Sequence, residues 1–424
     1  MILRLYSIAL AFIAPIMWLL LWRRARREGG DWDILGARRF GRYRTAAGET
    51  GRLWVHAVSL GETRAAKPLI DALLADGVRL LLTHTTATAM TESARQFGAA
   101  IASGQLQQAW LPYDFPGAMR RFLGHFRPRA AVLIEREVWP NLVAQANAAG
   151  VPVSLVSARL SARSASTMLR LGRLMRPAFA GLSQVLAQTA DDAARLQHAG
   201  ARESVVVGNL KFDIEVPAQA VQMGAAWRAG WGRPVVAIAS TRDGEEAHFI
   251  RAVAARDELP GNPLFLLIPR HPQRFDEVAD LLRRDGARFE RRSAFSATRS
   301  LGADTRWLLG DSVGEMPAYY AASDVAIIGG SFLDFGGQNL VEASACGVPV
   351  IVGPHTRNFA QAADDAIKAG AARRVADAGE AVATALALLE EAPQRQAMAQ
   401  AAQTFIATHR GATRRVMSAL RPWR

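Results

Sequence analysis

The sequence predicts an α/β protein of two successive doubly wound, Rossmann-like domains behind an N-terminal apolar helix. Chain length, a repeated alternation of short β-branched runs with Ala-rich stretches, and an uncharged opening segment all point that way. A chain of 424 residues exceeds what one ordinary core fills, so two domains of about 150–200 residues are expected. Half of the residues are hydrophobic and 21% are charged, the balance of a folded globular chain rather than a disordered one. The single cysteine, Cys346, cannot close an internal disulfide, which fits a reducing compartment.

The opening segment comes first. Residues 5–22 carry no charge, and Arg23, Arg24, Arg26 and Arg27 follow at once. About twenty apolar residues cross a bilayer as a helix, so this run is just long enough, with Pro15 as a kink point. A cleaved signal peptide would have a shorter apolar stretch and a small-residue site before the arginines. An interfacial helix would show a polar face, and none is visible. Residues 1–28 are therefore expected to form a single-pass membrane anchor with its basic flank, the arginines placing the rest of the chain on the cytoplasmic side. The net charge of +13 suits an anionic membrane and an acidic substrate. Nucleic acid is not expected, because the arginines are scattered and no helix-turn-helix, zinc or RNP-like motif occurs.

After the anchor, residues 29–51 are rich in Gly and Arg and read as a linker with short helical pieces. Strands are then expected at 53–57, 78–83, 130–134, 151–156 and 205–207, separated by stretches of helical period. Pro217, within 213–218, marks the interdomain connection. The second half restarts with strands at 235–239, 264–268, 307–309, 325–328 and 350–352. Residues 360–402 read as helices, and a last helical stretch over 393–424 has no strand after it. The expected domains are 29–215 and 216–424, with a cleft between the carboxyl ends of two parallel sheets.

The chemistry-bearing residues cluster after these strands. In Trp54-Val55-His56-Ala57-Val58-Ser59-Leu60-Gly61-Glu62 a strand ends, Gly61 allows a tight turn and Glu62 opens a helix. A carboxylate there is ordinarily a partner of the helix dipole, yet a general base would stand at the same place. Ile134-Glu135-Arg136-Glu137-Val138-Trp139-Pro140-Asn141 puts an acidic pair after another strand, where Arg136 alone would satisfy it as a solvated loop. Gly208-Asn209-Leu210-Lys211-Phe212-Asp213 brings Lys211 to the domain junction, a position suited to an anion.

In the second half, Arg270 and His271 stand in Pro269-Arg270-His271-Pro272, and Arg270 suits a phosphate or a base edge. Asp311-Ser312-Val313-Gly314-Glu315-Met316 follows another strand, its N–H groups able to hold an anion unless Glu315 merely caps the helix. Between Gly329 and Glu342, two Gly pairs let backbone N–H groups approach a phosphate, and Asn339 and Glu342, three apart on one helical face, suit ribose hydroxyls. A purely structural Gly-rich turn is the plainer alternative. There is no Walker A sequence, no G-x-G-x-x-G fingerprint, no His/Cys metal spacing and no D-x-D pair of the kind that would hold a divalent metal on a nucleotide sugar, so metal-free chemistry is expected.

Taken together, these stretches closely resemble the 3-deoxy-D-manno-octulosonic acid (Kdo) transferases, a lipid A-modifying branch of the GT-B glycosyltransferases. The similarity runs over residues 54–359. It rests on ordered motifs: Ser59-Leu60-Gly61-Glu62, Glu137-Val138-Trp139-Pro140-Asn141, Gly208-Asn209-Leu210-Lys211-Phe212-Asp213, Pro269-Arg270-His271-Pro272, Gly314-Glu315, Gly329-Gly330-Ser331 and Gly353-Pro354-His355. The resemblance implies a GT-B fold whose first domain, 29–215, binds acceptor and whose second, 216–424, binds CMP-Kdo. It implies inverting, metal-independent transfer of Kdo to the lipid A precursor, lipid IVA, without a cofactor, at the bacterial inner membrane with its anionic lipids.

By position, Glu62 matches the family's catalytic base, and Glu137 and Lys211 match residues that steady the transition state. Arg270, His271, Val313, Gly314, Glu315, Asn339 and Glu342 match CMP-binding positions. Gln338 departs from the pattern, since the family usually has His there and Gln cannot titrate. Two alternatives stand beside this: another GT-B nucleotide-sugar enzyme such as an epimerase, or a non-catalytic membrane scaffold that keeps the fold.

Overall fold

The computed structural model describes residues 1–44, 50–256, 258–294, 301–302 and 304–423. Residues 45–49 of the expected linker and the side chain of Arg27 in the basic flank lie outside the described residues. The chain divides into two compact units, Met1–Asp213 together with His409–Arg424, and Ile214–Thr408.

In the first unit seven parallel strands form one sheet. They are β1 (Leu53–His56), β2 (Leu80–His84), β3 (Leu106–Trp110), β4 (Ala130–Ile134), β5 (Val153–Ala158), β6 (Gln184–Ala187) and β7 (Ser204–Val206). Their order is β3-β2-β1-β4-β5-β6-β7, so the winding reverses between β1 and β4. Alternate side chains along each strand enter opposite cores: Trp54, Leu81, Ala131 and Leu133 on one face, Leu53, Val55, Leu80 and Val132 on the other. A strand buried on both sides needs this continuous apolar run, which is why β1, β4 and β5 were legible.

In the second unit the strands are β8 (Val235–Thr241), β9 (Leu264–Pro269), β10 (Phe289–Arg291), β11 (Trp307–Leu309), β12 (Val325–Ile328), β13 (Val350–Val352) and β14 (Ala372–Arg374). They too are all parallel, in the order β10-β11-β9-β8-β12-β13-β14, with the reversal between β8 and β12. Two doubly wound parallel sheets confirm the predicted fold class.

Four strands escaped the sequence pattern. β3, β10 and β14 are sheet edges with Gln, Glu or Arg in them, and β6 is only four residues long. β14 also interrupts the helices expected over 360–402. The last helix, Ala412–Ala419, was expected with the second domain but packs in the first unit. Ala412, Val416, Met417 and Leu420 join the core face of Leu53 and Val55, and Asp213 accepts from Gly411 N at 2.6 Å and from Thr413 N. Helical period shows which face of a helix is apolar, not which sheet it covers.

The opening helix α1 (Ile2–Glu28) is long and apolar enough to cross a membrane by length and composition. Pro15 lies inside it without ending it. One of its faces packs on the first unit, where Ala14 is 1% exposed and Trp18 meets the rings of Phe40 and Tyr113.

Candidate active site

In the first unit both sides of the winding reversal end in acidic residues, the place where open α/β sheets bind ligands. After β1 the chain turns into α2 (Leu60–Ala75), whose Ala66, Leu69, Ile70 and Leu73 are buried against the sheet. Ser59 caps the helix with Oγ accepting from Glu62 N at 3.4 Å, while Glu62 Oε2 accepts from Val58 N at 2.6 Å. The carboxylate folds back over the helix start as in a capping box, but onto the residue before the cap, so the helix-start role and the strand-end position belong to the same carboxylate. Glu62 is 9% exposed. Burial first, then the charges of Glu137 and Glu135, push its pKa up to about 8 against the opposing Val58 hydrogen bond and Arg136.

After β4, Glu135 sits at φ +62°, a strained conformation for a residue with a side chain, and Glu137 follows two residues on. Glu135 is the carboxylate that holds Lys211, with Nζ 2.7 Å from Oε1, and its Oε2 takes Arg159 Nε at 2.7 Å. Burial would raise the Glu135 pKa, but Lys211 and Arg159 hold it below the ordinary range. Glu137 is instead raised, chiefly by burial, although Trp139 Nε1 donates to it at 2.8 Å. The acidic pair is therefore split into an ion-paired anion and a proton-avid neighbour of Glu62. Arg136 alone does not satisfy it, as the solvated-loop alternative required.

Lys211 is presented by the turn Leu210–Phe212, which Asn209 caps by accepting from Lys211 N at 3.0 Å. His56 is buried and neutral at ordinary pH: burial, and next the nearby His84, push it down to about 3, and Thr83 Oγ1 lies 2.9 Å from Nδ1. The helix Pro140–Ala148 after Glu137 is fixed by Asp114, which accepts from Asn141 N at 3.0 Å and Leu142 N at 2.7 Å.

The second unit gathers its candidates around β8, β9, β11 and β12. Arg270 leaves the end of β9 and donates from Nε to Gln338 Oε1 at 3.2 Å. The buried Tyr320 lies within electrostatic reach of both Arg270 and Glu342, which places those two in one neighbourhood. Asn339 donates from Nδ2 to Glu342 Oε1 at 3.3 Å. The two do not share a helical face as expected. The helix Val341–Ala345 starts after Asn339, whose side chain accepts from Val341 N at 3.0 Å in a local turn ahead of the helix.

Glu315 lies in a separate cluster. It pairs with Arg292 at 2.8 Å and accepts from Ser312 Oγ, while the Arg292 guanidinium covers the Trp227 ring at 4.7 Å. Gly314 takes φ +91° beside it, Val313 is exposed, and His271 is exposed at the start of the turn Pro272–Arg274.

The Gly-rich turn after β12 needs a correction. Its N–H groups were expected to face a phosphate, but the buried Glu245 already takes Gly330 N at 2.6 Å, Phe332 N at 2.9 Å and Leu333 N at 3.3 Å. Gly329 is required for a different closeness, since a Cβ there would lie 2.7 Å from Thr241 Cα. Glu245 and Glu135 are the residues that the sequence reading undervalued. Both belong to acidic pairs placed after a strand, Glu245-Glu246 and Glu135/Glu137, and that pairing is the available signal.

One D-x-D triplet does occur, Asp31-Trp32-Asp33, but it follows α1 and Asp33 is bound to Arg38 Nε at 2.9 Å. Among the described residues no group of three or more His, Cys, Asp and Glu is placed to hold a metal ion.

Residues 36–214 match the family described as 3-deoxy-D-manno-octulosonic-acid transferase (kdotransferase), and residues 244–405 match glycosyl transferases group 1. A 3-deoxy-D-manno-octulosonic acid transferase of Bordetella pertussis is 57% identical, with 99% of this chain and 98% of that protein covered. One from Haemophilus influenzae is 33% identical, with 91% of each covered. Among solved structures, a glycosyltransferase of Rickettsia africae has a TM-score of 0.57 at 10% identity, covering 88% of this chain and 99% of that one. UDP-GlcNAc 2-epimerase of Neisseria meningitidis has 0.56 at 14%, covering 88% and 100%. At such identities the two structures share the fold alone.

Proposed function

The chain belongs to the 3-deoxy-D-manno-octulosonic acid (Kdo) transferase family, and from that premise we propose that it moves Kdo from CMP-Kdo onto the lipid A precursor at the cytoplasmic face of a bacterial inner membrane. The environment of Glu62 supports this most. It is a buried carboxylate after the central strand β1, and its raised proton affinity suits a group that must take a proton during reaction near neutral pH.

In the proposed reaction the bond from the anomeric carbon to the CMP phosphate breaks and a glucosamine hydroxyl of the acceptor attacks from the opposite face. Glu62 takes the hydroxyl proton, and the β-linked donor yields an α-linked product. Departure of CMP builds positive charge on the sugar and negative charge on the phosphate. Lys211, ion-paired with Glu135, and Glu137 belong to the same unit as Glu62 and steady the developing charges. Arg270 takes the phosphate. Its partner Gln338 orients the guanidinium through an amide oxygen, a task that needs no titratable group and so accounts for Gln where the family usually has His. Asn339 and Glu342 accept the ribose hydroxyls, while His271, Val313, Gly314 and Glu315 line the nucleotide.

The acceptor is a lipid with two phosphates, which suits α1 and the net charge of +13. Incubating purified protein with CMP-Kdo should release CMP only when the lipid acceptor is present. Equal release from UDP-sugars, or interconversion of a UDP-sugar without acceptor, would replace this with another nucleotide-sugar enzyme.

A further inference from the structure

The helix α1 carries two apolar stripes with different fates. Tyr6, Leu10, Ala14, Met17, Leu21 and Ala25, spaced three or four residues apart, are wholly or partly covered. They lie on the first unit: Tyr6 donates to Asp114 Oδ2 at 3.0 Å, and Leu21 and Ala25 pack on the cluster of Trp32, Ala87 and Trp110. Ser7 adds a second polar tie, 3.1 Å from Asn141 Nδ2. The opposite stripe is bare. Leu5, Ile8, Phe12, Ile16, Leu19 and Trp22 are exposed, Phe12 at 79%.

The covered contacts run between residues 6 and 25, about 28 Å of helix. A bilayer's hydrocarbon core is about 30 Å thick. A helix held along that length by a unit rich in exposed arginines cannot be ringed by lipid over the same length. A spanning helix would also carry Tyr6 and Ser7 to the far side of the membrane, away from Asp114 and Asn141. An isolated helix lying in an interface needs a polar face, and here the first unit takes that place, leaving only the outer stripe for lipid.

Charge supports the same posture. Arg23, Arg24 and Arg26 end the helix in exposed positions. The neighbouring helix Gly172–Ala180 packs on α1, and its junction with the helix Ala162–Arg170 exposes Leu169 and Leu171 together with Arg170 and Arg173. Apolar side chains beside arginines suit an anionic lipid surface.

We infer that α1 lies in the plane of the inner leaflet as part of the first unit, its outer stripe in lipid and its first turns bracing Asp114 and Asn141, rather than crossing the bilayer. Asp114 and Asn141 set the start of the helix that follows Glu137, so the lipid-facing element is continuous with the candidate site. This inference rests on the proposed membrane location.

The test uses the full chain with Cys346→Ser and one added cysteine, Arg4→Cys or Arg26→Cys, both at exposed positions. Membrane-impermeant maleimide is applied to intact spheroplasts and to inverted vesicles. The in-plane helix predicts that both cysteines react in inverted vesicles and neither in spheroplasts. Arg4→Cys labelled in intact spheroplasts, with Arg26→Cys labelled only in inverted vesicles, would show a span and overturn the inference while leaving the membrane location intact. Protein absent from the membrane fraction would overturn both, and sedimentation separates that outcome from the former.

Discussion

Replacing Glu62 by Gln separates a catalytic carboxylate from a structural one, because the two roles predict opposite effects on stability. The Glu62 pKa lies at about 8 in the folded chain against an ordinary 4.5, so the folded state holds the proton more tightly than the unfolded state. Stability from this group is therefore full below pH 4.5, where both states are protonated, and is lost as pH rises toward 8. Neutral pH lies about 2.5 above the unfolded value, and at about 1.36 kcal/mol for each pH unit Glu62 costs the fold about 3 kcal/mol at pH 7. Gln cannot ionise and keeps an oxygen for Val58 N. Glu62→Gln should then be more stable than the parent by up to about 3 kcal/mol at pH 7 and equal to it at pH 4.5, while transfer falls roughly 100-fold or more. Denaturant unfolding at both pH values and initial rates at pH 7 provide the readouts. A Gln variant no more stable at pH 7, or one with near-normal turnover, would refute the assignment.

Glu137→Gln removes the charge that, after burial, does most to raise Glu62, so the rising limb of the rate–pH profile should move to lower pH even as the maximal rate falls; an unmoved limb would count against their coupling. Glu342→Ala should weaken CMP binding by calorimetry with little change in melting temperature, and unaltered affinity would remove it from the ribose site. Activity should survive excess EDTA, since Arg270 and Lys211 are the proposed partners of the phosphate charge; loss in chelator that Mg²⁺ restores would contradict this.

The strands buried on both faces were legible because a continuous apolar run of four to six residues between turn signals suits a doubly buried strand better than a helix, whereas their order, with the reversals at β1/β4 and β8/β12, came only with the fold. Edge strands such as β14, Ala372-Arg373-Arg374, carry no such run. Glu62 was visible through its place after β1, but its high pKa depends on Glu137 and Glu135, which are more than 70 positions away in sequence. The partner of Lys211 was hidden for the same reason: Arg136 is adjacent to both acidic residues, yet folding brings Lys211 and Arg159 to Glu135. The Gly-rich turn misled in the other direction. Its composition suits a phosphate, but only the fold reveals that Glu245, some 85 residues earlier, already occupies those N–H groups.

The most direct measurement of the central claim is the product itself. Purified enzyme, CMP-Kdo and the tetraacyl lipid A precursor should yield a lipid whose mass has gained Kdo and whose new linkage is α by NMR, inverted from the β-donor. An unchanged lipid would contradict the proposed substrate pair, and a β-linked product would contradict single displacement with Glu62 as base.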